Sequence, residues 1–170
     1  STRKMYSIVY GLNGTTLNGF MESNFSENPD SSAYAYITSV ADANGVVSSA
    51  AYTPNKNVYA KVDSKYISST DAELVFEIDY LDCQGPTGKL SLWYICKKSD
   101  GSVGSTYSIA VPQMGGTNLW KTAVLRINDA NLTVTSLLAG EHFGVTSTVN
   151  SVPDKSYIKG IRVIQAQYYD

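Results

Sequence analysis

Apolar and polar residues alternate along most of this chain in runs of four to eight, the period of half-buried strands whose side chains point to opposite faces in turn. Tyr6-Ser7-Ile8-Val9-Tyr10 is the first such run, and Gly11-Leu12-Asn13-Gly14 punctuates it. Asn24 to Ser32, containing Pro29, reads as a polar loop, after which Tyr34-Ala35-Tyr36-Ile37 resumes the strand pattern. Asp42-Ala43-Asn44-Gly45 carries an Asn-Gly turn signal, and Thr53-Pro54-Asn55-Lys56-Asn57 breaks the chain before Val58-Tyr59-Ala60-Lys61-Val62. Further strands are predicted at Thr106–Val111, Trp120–Ile127, around His142–Thr148 and at Tyr157–Gln165. Asp129-Ala130-Asn131-Leu132 is placed to start a short helical turn, while the β-branched Thr133, Val134 and Thr135 argue against a long helix.

The strongest pattern runs from Glu73 to Lys97. Phe76, Ile78 and Tyr80 alternate with Glu77 and Asp79, and Gln84-Gly85-Pro86-Thr87-Gly88 then turns the chain into Leu90, Leu92 and Tyr94. Read as a hairpin, the segment points both apolar sets at one core only if paired residue numbers sum to an even value, because a one-residue slip turns a strand over. That register puts Trp93 near Asp79 on the non-core face. It also separates Cys83 and Cys96 by about 20 Å on opposite faces, so both are predicted to be free thiols.

Composition agrees with an all-β class. Thirteen Tyr and thirteen Gly suit pleated strands and tight turns. With 170 residues, 43% of them hydrophobic, the chain fills one domain, residues 1–170, and repeated short strands at regular spacing predict a single antiparallel β-sandwich of jelly-roll type. Thirteen Lys and Arg against fifteen Asp and Glu give a net charge of −2, which offers no cationic field to a phosphate backbone, so nucleic acid is not an expected partner. No apolar run approaches the roughly 20 residues of a membrane-spanning helix. Ser1-Thr2-Arg3-Lys4 lacks the apolar core of a signal peptide, so the chain reads as a mature or excised piece.

Most reactive chemistry lacks its residues. One His and two separated Cys, without a Cys-x-x-Cys or His-Glu-x-x-His spacing, do not make an ordinary zinc site. None of the Gly-rich stretches ends in the Lys-Ser/Thr of a phosphate loop, and no Gly-x-Ser-x-Gly elbow occurs. A nucleophilic thiol would have only His142 as a partner, so Cys83 and Cys96 read as small hydrophobes and His142 as a partly exposed polar residue beside Phe143. Glycoside hydrolysis needs only two suitably spaced carboxylates and stays open on sequence alone.

Six stretches together carry a resemblance. Tyr59-Ala60-Lys61-Val62-Asp63-Ser64-Lys65-Tyr66, Leu74 to Asp82 and Gly88 to Tyr94 resemble the first half of galactose-binding-like β-sandwich domains, the carbohydrate-binding modules attached to bacterial polysaccharide hydrolases and lyases. Trp120 to Leu132, Gly140 to Val145 and Tyr157 to Val163 are similar to their closing strands, except that Gly144 stands where relatives often carry an Arg after the Phe. The resemblance implies a jelly-roll fold and an ancillary sugar-binding role. It also implies a covalently joined catalytic domain in a longer parent chain and a secreted or cell-surface bacterial setting. A structural calcium ion is an option on the same analogy, since a hard cation needs only carboxylate and carbonyl oxygens from loops, and Asp63, Asp129 and Asp170 are its candidate ligands.

Sugar recognition pairs aromatic rings with groups that bond hydroxyls. Trp93 with Glu77 and Asp79 is the first candidate site for a polysaccharide or oligosaccharide, with burial of Trp93 under another strand as the structural alternative. Trp120 and Arg126, on one face of their strand, form the second candidate, with packing or a cation–π contact as the alternative. Tyr34 and Tyr36 are the third, half-buried tyrosines being common in any β-sandwich. The functional expectation is a non-catalytic carbohydrate-binding module. A compact jelly-roll glycosidase or lyase, or a structural or adhesive sandwich domain without a sugar ligand, are the alternatives.

Overall fold

The alternating segments assemble into two antiparallel sheets packed face to face, with almost every strand placing its even or odd set of apolar side chains between them. A computed structural model describes residues 5–11, 16–18, 21–24, 35–62, 72–132 and 141–169. Its strands, in chain order, are β1 Met5–Val9, β2 Thr16–Asn18, β3 Met21–Asn24, β4 Tyr36–Ala41, β5 Val47–Thr53, β6 Val58–Val62 and β7 Leu74–Leu81. There follow β8 Gly88–Lys97, β9 Val103–Val111, β10 Trp120–Ile127, β11 Phe143–Val149, β12 Val152–Asp154 and β13 Ser156–Gln165, then a short 3₁₀ turn at Ala166–Tyr168.

The first sheet runs β10-β7-β13-β1-β2, with the β4–β5 hairpin added against the start of β13. The second runs β3-β6-β11-β8-β9, with β12 folded back on β11. Every strand pairing is antiparallel, and the architecture is the all-β sandwich of jelly-roll type that the spacing predicts. Phe76, Ile78, Ala123, Ile161 and Val163 from the first sheet meet Val58, Ala60, Leu90, Leu92, Phe143 and Val145 from the second in a fully buried core. Phe76 and Phe143 touch edge to face across it, ring centroids 5.1 Å apart.

Three readings of the sequence are corrected by the structure, and one strand is added to them. The Glu73–Lys97 segment is not a hairpin: β7 pairs with β10 and β13 in one sheet, and β8 pairs with β11 and β9 in the other. The connection between them arches from sheet to sheet. Both strands still point Phe76, Ile78 and Tyr80 or Leu90, Leu92 and Tyr94 at one core, which is why alternation alone does not separate the two arrangements. Asp129–Leu132 forms no helical turn, since Ala130 bridges to Cys96 instead. The added strand is β5, which carries no large apolar alternation because its inward face is built from the small Ala51 and Ser49. His142 is buried, its Nδ1 accepting a hydrogen bond from the Val62 N–H at 3.0 Å. Cys96 lies in the core and Cys83 in the arch, and both are free thiols.

The arch is fixed by one carboxylate. Asp82 is fully buried and accepts hydrogen bonds from the backbone N–H groups of Gly115, Gly116 and Thr117, from the Thr117 hydroxyl and from Lys121 Nζ at 2.7 Å. Burial pushes its pKa up, but the bonds from Lys121, Thr117 and Gly116 outweigh that and hold it at about 2.

Candidate functional site

Side chains on the outward side of the second sheet fall into rows set by the strand register. Tyr107 on β9 pairs with Trp93 on β8, Trp93 with Gly144 on β11, and Gly144 with Tyr59 on β6. The next outward row is Ile109, Ser91 and Thr146, with Asn57 beside it just before β6. A third is formed by Lys89 and Thr148, with Pro153 on β12 and Ser151 at the β11–β12 turn. These residues, Tyr59 and Gly144 aside, line a groove of about 380 Å³.

Strand β9 explains why the groove is apolar on one side. Its inward positions are Gly104, Thr106, Ser108 and Ala110, and its outward ones include Val103, Tyr107 and Ile109, so it is built inside out. Slipping β9 by one residue would bury Tyr107 and Ile109, and the observed pairing with β8 keeps them in solvent instead. Tyr107 is 67% exposed, Ile109 41% and Trp93 39%. Two adjacent aromatic residues and an isoleucine facing water form the kind of apolar patch that marks a contact surface.

The rest of the groove is polar and short of negative charge. Ser91, Thr146, Thr148 and Ser151 bring hydroxyls, and Asn57, only 8% exposed, has a buried Oδ1 with no hydrogen-bond partner. That oxygen is buried beneath the groove wall, where a polar atom without a partner is uncommon. Gly144 makes room for the row: a Cβ there would sit 2.9 Å from the Tyr59 ring and 3.1 Å from Asn57 Cβ. Lys89 is the one charged side chain among the described lining residues, and none of them is a carboxylate.

The residues singled out from the sequence do not converge. Glu77 and Asp79 lie on the outer face of the first sheet, on the far side of the sandwich from Trp93, because β7 and β8 belong to different sheets. Both are occupied by Arg162: its Nε donates to Glu77 Oε1 at 2.9 Å, and its two terminal nitrogens donate to Asp79 at 2.7 and 2.8 Å. Thr122 adds a bond to Asp79, and the net effect of Arg162 and Thr122 against burial is to lower the Asp79 pKa. Trp120 and Arg126 share an outer face but sit six residues apart, about 20 Å along the strand. Lys159 Nζ lies 5.0 Å over the Trp120 ring, and Arg126 lies 4.9 Å over that of Tyr169, the cation–π alternative for each. Tyr36 meets Tyr52 and Tyr52 meets Tyr157 in a ladder across β4, β5 and β13. Asp129 accepts a 2.6 Å bond from Tyr94 Oη, and no group of three metal-ligating side chains occurs among the described residues. Tyr34, Asp63 and Asp170 lie outside the described residues.

Trp93 is thus the one sequence candidate at the groove. Tyr107, Ile109, Asn57 and Lys89 join it unforeseen, although Tyr107 and Ile109 carried a readable signal: they alternate with Thr106, Ser108 and Ala110, and large apolar residues paired with such a small, polar opposite face must either be buried or serve as a surface.

The chain matches no protein family by sequence and no curated protein. Among solved structures, a xylan-binding module described as CBM15 is similar to it, with 15% sequence identity over 97% of this chain and 98% of that one and a TM-score of 0.45.

Proposed function

We propose that the protein is a non-catalytic carbohydrate-binding module that holds a polysaccharide chain in the groove on the outer face of its second sheet. The observation that carries this reading is the adjacent pair Trp93 and Tyr107, exposed in a groove whose further lining residues bring the hydroxyls of Ser91, Thr146, Thr148 and Ser151, the Asn57 amide and the Lys89 ammonium. Aromatic faces take the apolar sides of pyranose rings, and the polar rim bonds their hydroxyls. Hydrolysis would need two carboxylates flanking a bound sugar. The described lining residues include none, and the pair Glu77 and Asp79 is held in ion pairs by Arg162 on the opposite face. On this reading the module works outside the cell beside a polysaccharide-cleaving domain, the setting that the sequence resemblance implies.

The test is a panel of polysaccharides titrated against the purified chain, with a reducing-end and double-bond assay run in parallel. Binding without turnover is expected. Trp93→Ala is expected to weaken binding about fivefold to 150-fold, the equivalent of ~1–3 kcal/mol per stacked ring. Because Trp93 is 39% exposed, its melting temperature should fall far less than the 3–5 kcal/mol loss of a core tryptophan would imply. Turnover of any glycan, or undiminished binding by Trp93→Ala, would overturn the reading.

A further inference from the structure

The charge of the groove is at odds with the charge of the chain. Acids outnumber bases fifteen to thirteen overall, yet the described lining residues of the groove carry a single charge, the ammonium of Lys89. Cations with described carboxylate partners lie elsewhere: Lys121 is held by Asp82, and Arg162 by Glu77 and Asp79. Lys89 is exposed and has no ion-pair partner among the described residues. It stands on the same face of β8 as Trp93, four residues away or about 13 Å at ~3.3 Å per residue, with the hydroxyl-bearing Thr148 paired beside it. Ser151, on the neighbouring turn, lines the same end.

Resting on the reading of the groove as a glycan site, we infer that its ligand is an acidic polysaccharide, one whose sugars carry carboxylate or sulfate groups, and that Lys89 is the residue selecting it. A sugar ring stacked on Trp93 leaves a neighbouring unit or side branch over the Lys89 end of the groove. An anion there meets three ammonium donors and adjacent hydroxyls, with no carboxylate among the lining residues to repel it. Asn57 and the hydroxyls still bond the neutral parts of the sugar, so Trp93 supplies affinity for any suitable chain and Lys89 supplies discrimination.

A polyuronate, a sulfated glycan and a neutral glycan of matched length, titrated against the wild type, Lys89→Gln and Trp93→Ala at low salt and at about 1 M salt, test this. The wild type should prefer one or both acidic chains at low salt and lose that preference at high salt. The acidic chain bound better identifies the anion. Lys89→Gln should weaken acidic chains about twofold to fivefold and leave the neutral one unchanged, the scale of an exposed ion pair. Trp93→Ala should weaken all that bind. A wild type that favours the neutral chain, or a Lys89→Gln protein that binds acidic chains as well as the wild type while Trp93→Ala does not, would overturn the inference and leave the binding module standing. Failure of all three glycans to bind would overturn both.

Discussion

On the outer face of the first sheet, Glu77, Asp79, Thr122 and Arg162 close on one another through hydrogen bonds of 2.7 to 2.9 Å, and Tyr169 donates to Glu77 from the chain's last turn. On the outer face of the second, Trp93, Tyr107 and Ile109 stand in water beside hydroxyls and the ammonium of Lys89. Both faces come from strands of the same period, and the difference lies in what the neighbouring strand brings into register. Arg162 on β13 pairs directly with Glu77 and reaches Asp79, so those carboxylates are consumed by the fold. Opposite Trp93 the register brings Tyr107 on one side and Gly144 on the other, neither able to satisfy or cover it. An outer-face group is available to a ligand when its cross-strand neighbours leave it unmet.

The comparison is broken most forcefully at Arg162. Replacing it with Met leaves Glu77 and Asp79 as uncompensated, mostly buried carboxylates, and the expected cost is about 2–3 kcal/mol of folding stability, below the 3–5 of a fully buried pair because all three side chains retain some solvent. Denaturant unfolding reads the loss, and glycan affinity should stay within about twofold. A protein with normal stability and impaired binding would show that the first sheet is also part of the site.

Much of this contrast was out of reach of the sequence. Alternation identifies nearly all the long strands because each has one face in the core, and it locates Trp93 on an outward face correctly. It is silent on which sheet a strand joins. A hairpin and a sheet-to-sheet arch orient Phe76, Ile78, Leu90 and Leu92 identically, so the pairing of Trp93 with Glu77 and Asp79 rested on a strand neighbour that the chain does not use. The buried Asp82 that fixes the arch lies next to Cys83 in a stretch that reads as a simple turn, and its partners Gly115 to Lys121 are more than thirty residues away. Asn57 likewise reads as part of a polar break, and only the β6–β11 pairing brings it to the groove.

Acid sharpens the comparison next. The Asp82 pKa lies at about 2 in the folded protein against an ordinary 3.8, so its contribution to stability is complete above about pH 4 and is lost as pH falls through 2. The depression corresponds to about 2 kcal/mol. Unfolding measured from pH 5 down to 2 should show that loss, and Asp82→Asn, which cannot titrate, should start less stable and decline less. With no carboxylate among the groove's described lining residues, affinity for a neutral glycan should hold constant wherever the fold survives. A fall in neutral-glycan affinity between pH 5 and 3, with the protein still folded, would mean that an acid reaches the ligand after all.

The finest test uses two outward glycines, one on each sheet. Gly144 lies between Trp93 and Tyr59, and a methyl group there would come within 2.9 Å of the Tyr59 ring and 3.1 Å of Asn57 Cβ. Gly160 lies beside Asp79, and a methyl there would meet the Ile8 carbonyl at 3.1 Å and Asp79 Oδ2 at 3.4 Å. Each substitution by Ala overpacks its site and should cost about 1 kcal/mol, a fall of about 2–4 °C in melting temperature. Their effects on binding should diverge. At Gly144 the Tyr59 ring and the Asn57 side chain must give way, which reshapes the end of the groove, and an affinity loss of about threefold, about 0.65 kcal/mol, is expected. At Gly160 the strain falls on the β1 backbone and on a carboxylate that already answers to Arg162, so affinity should not move. Equal effects on binding from both, or none from Gly144→Ala, would mean that the row running from Tyr107 to Tyr59 is packing rather than a binding surface.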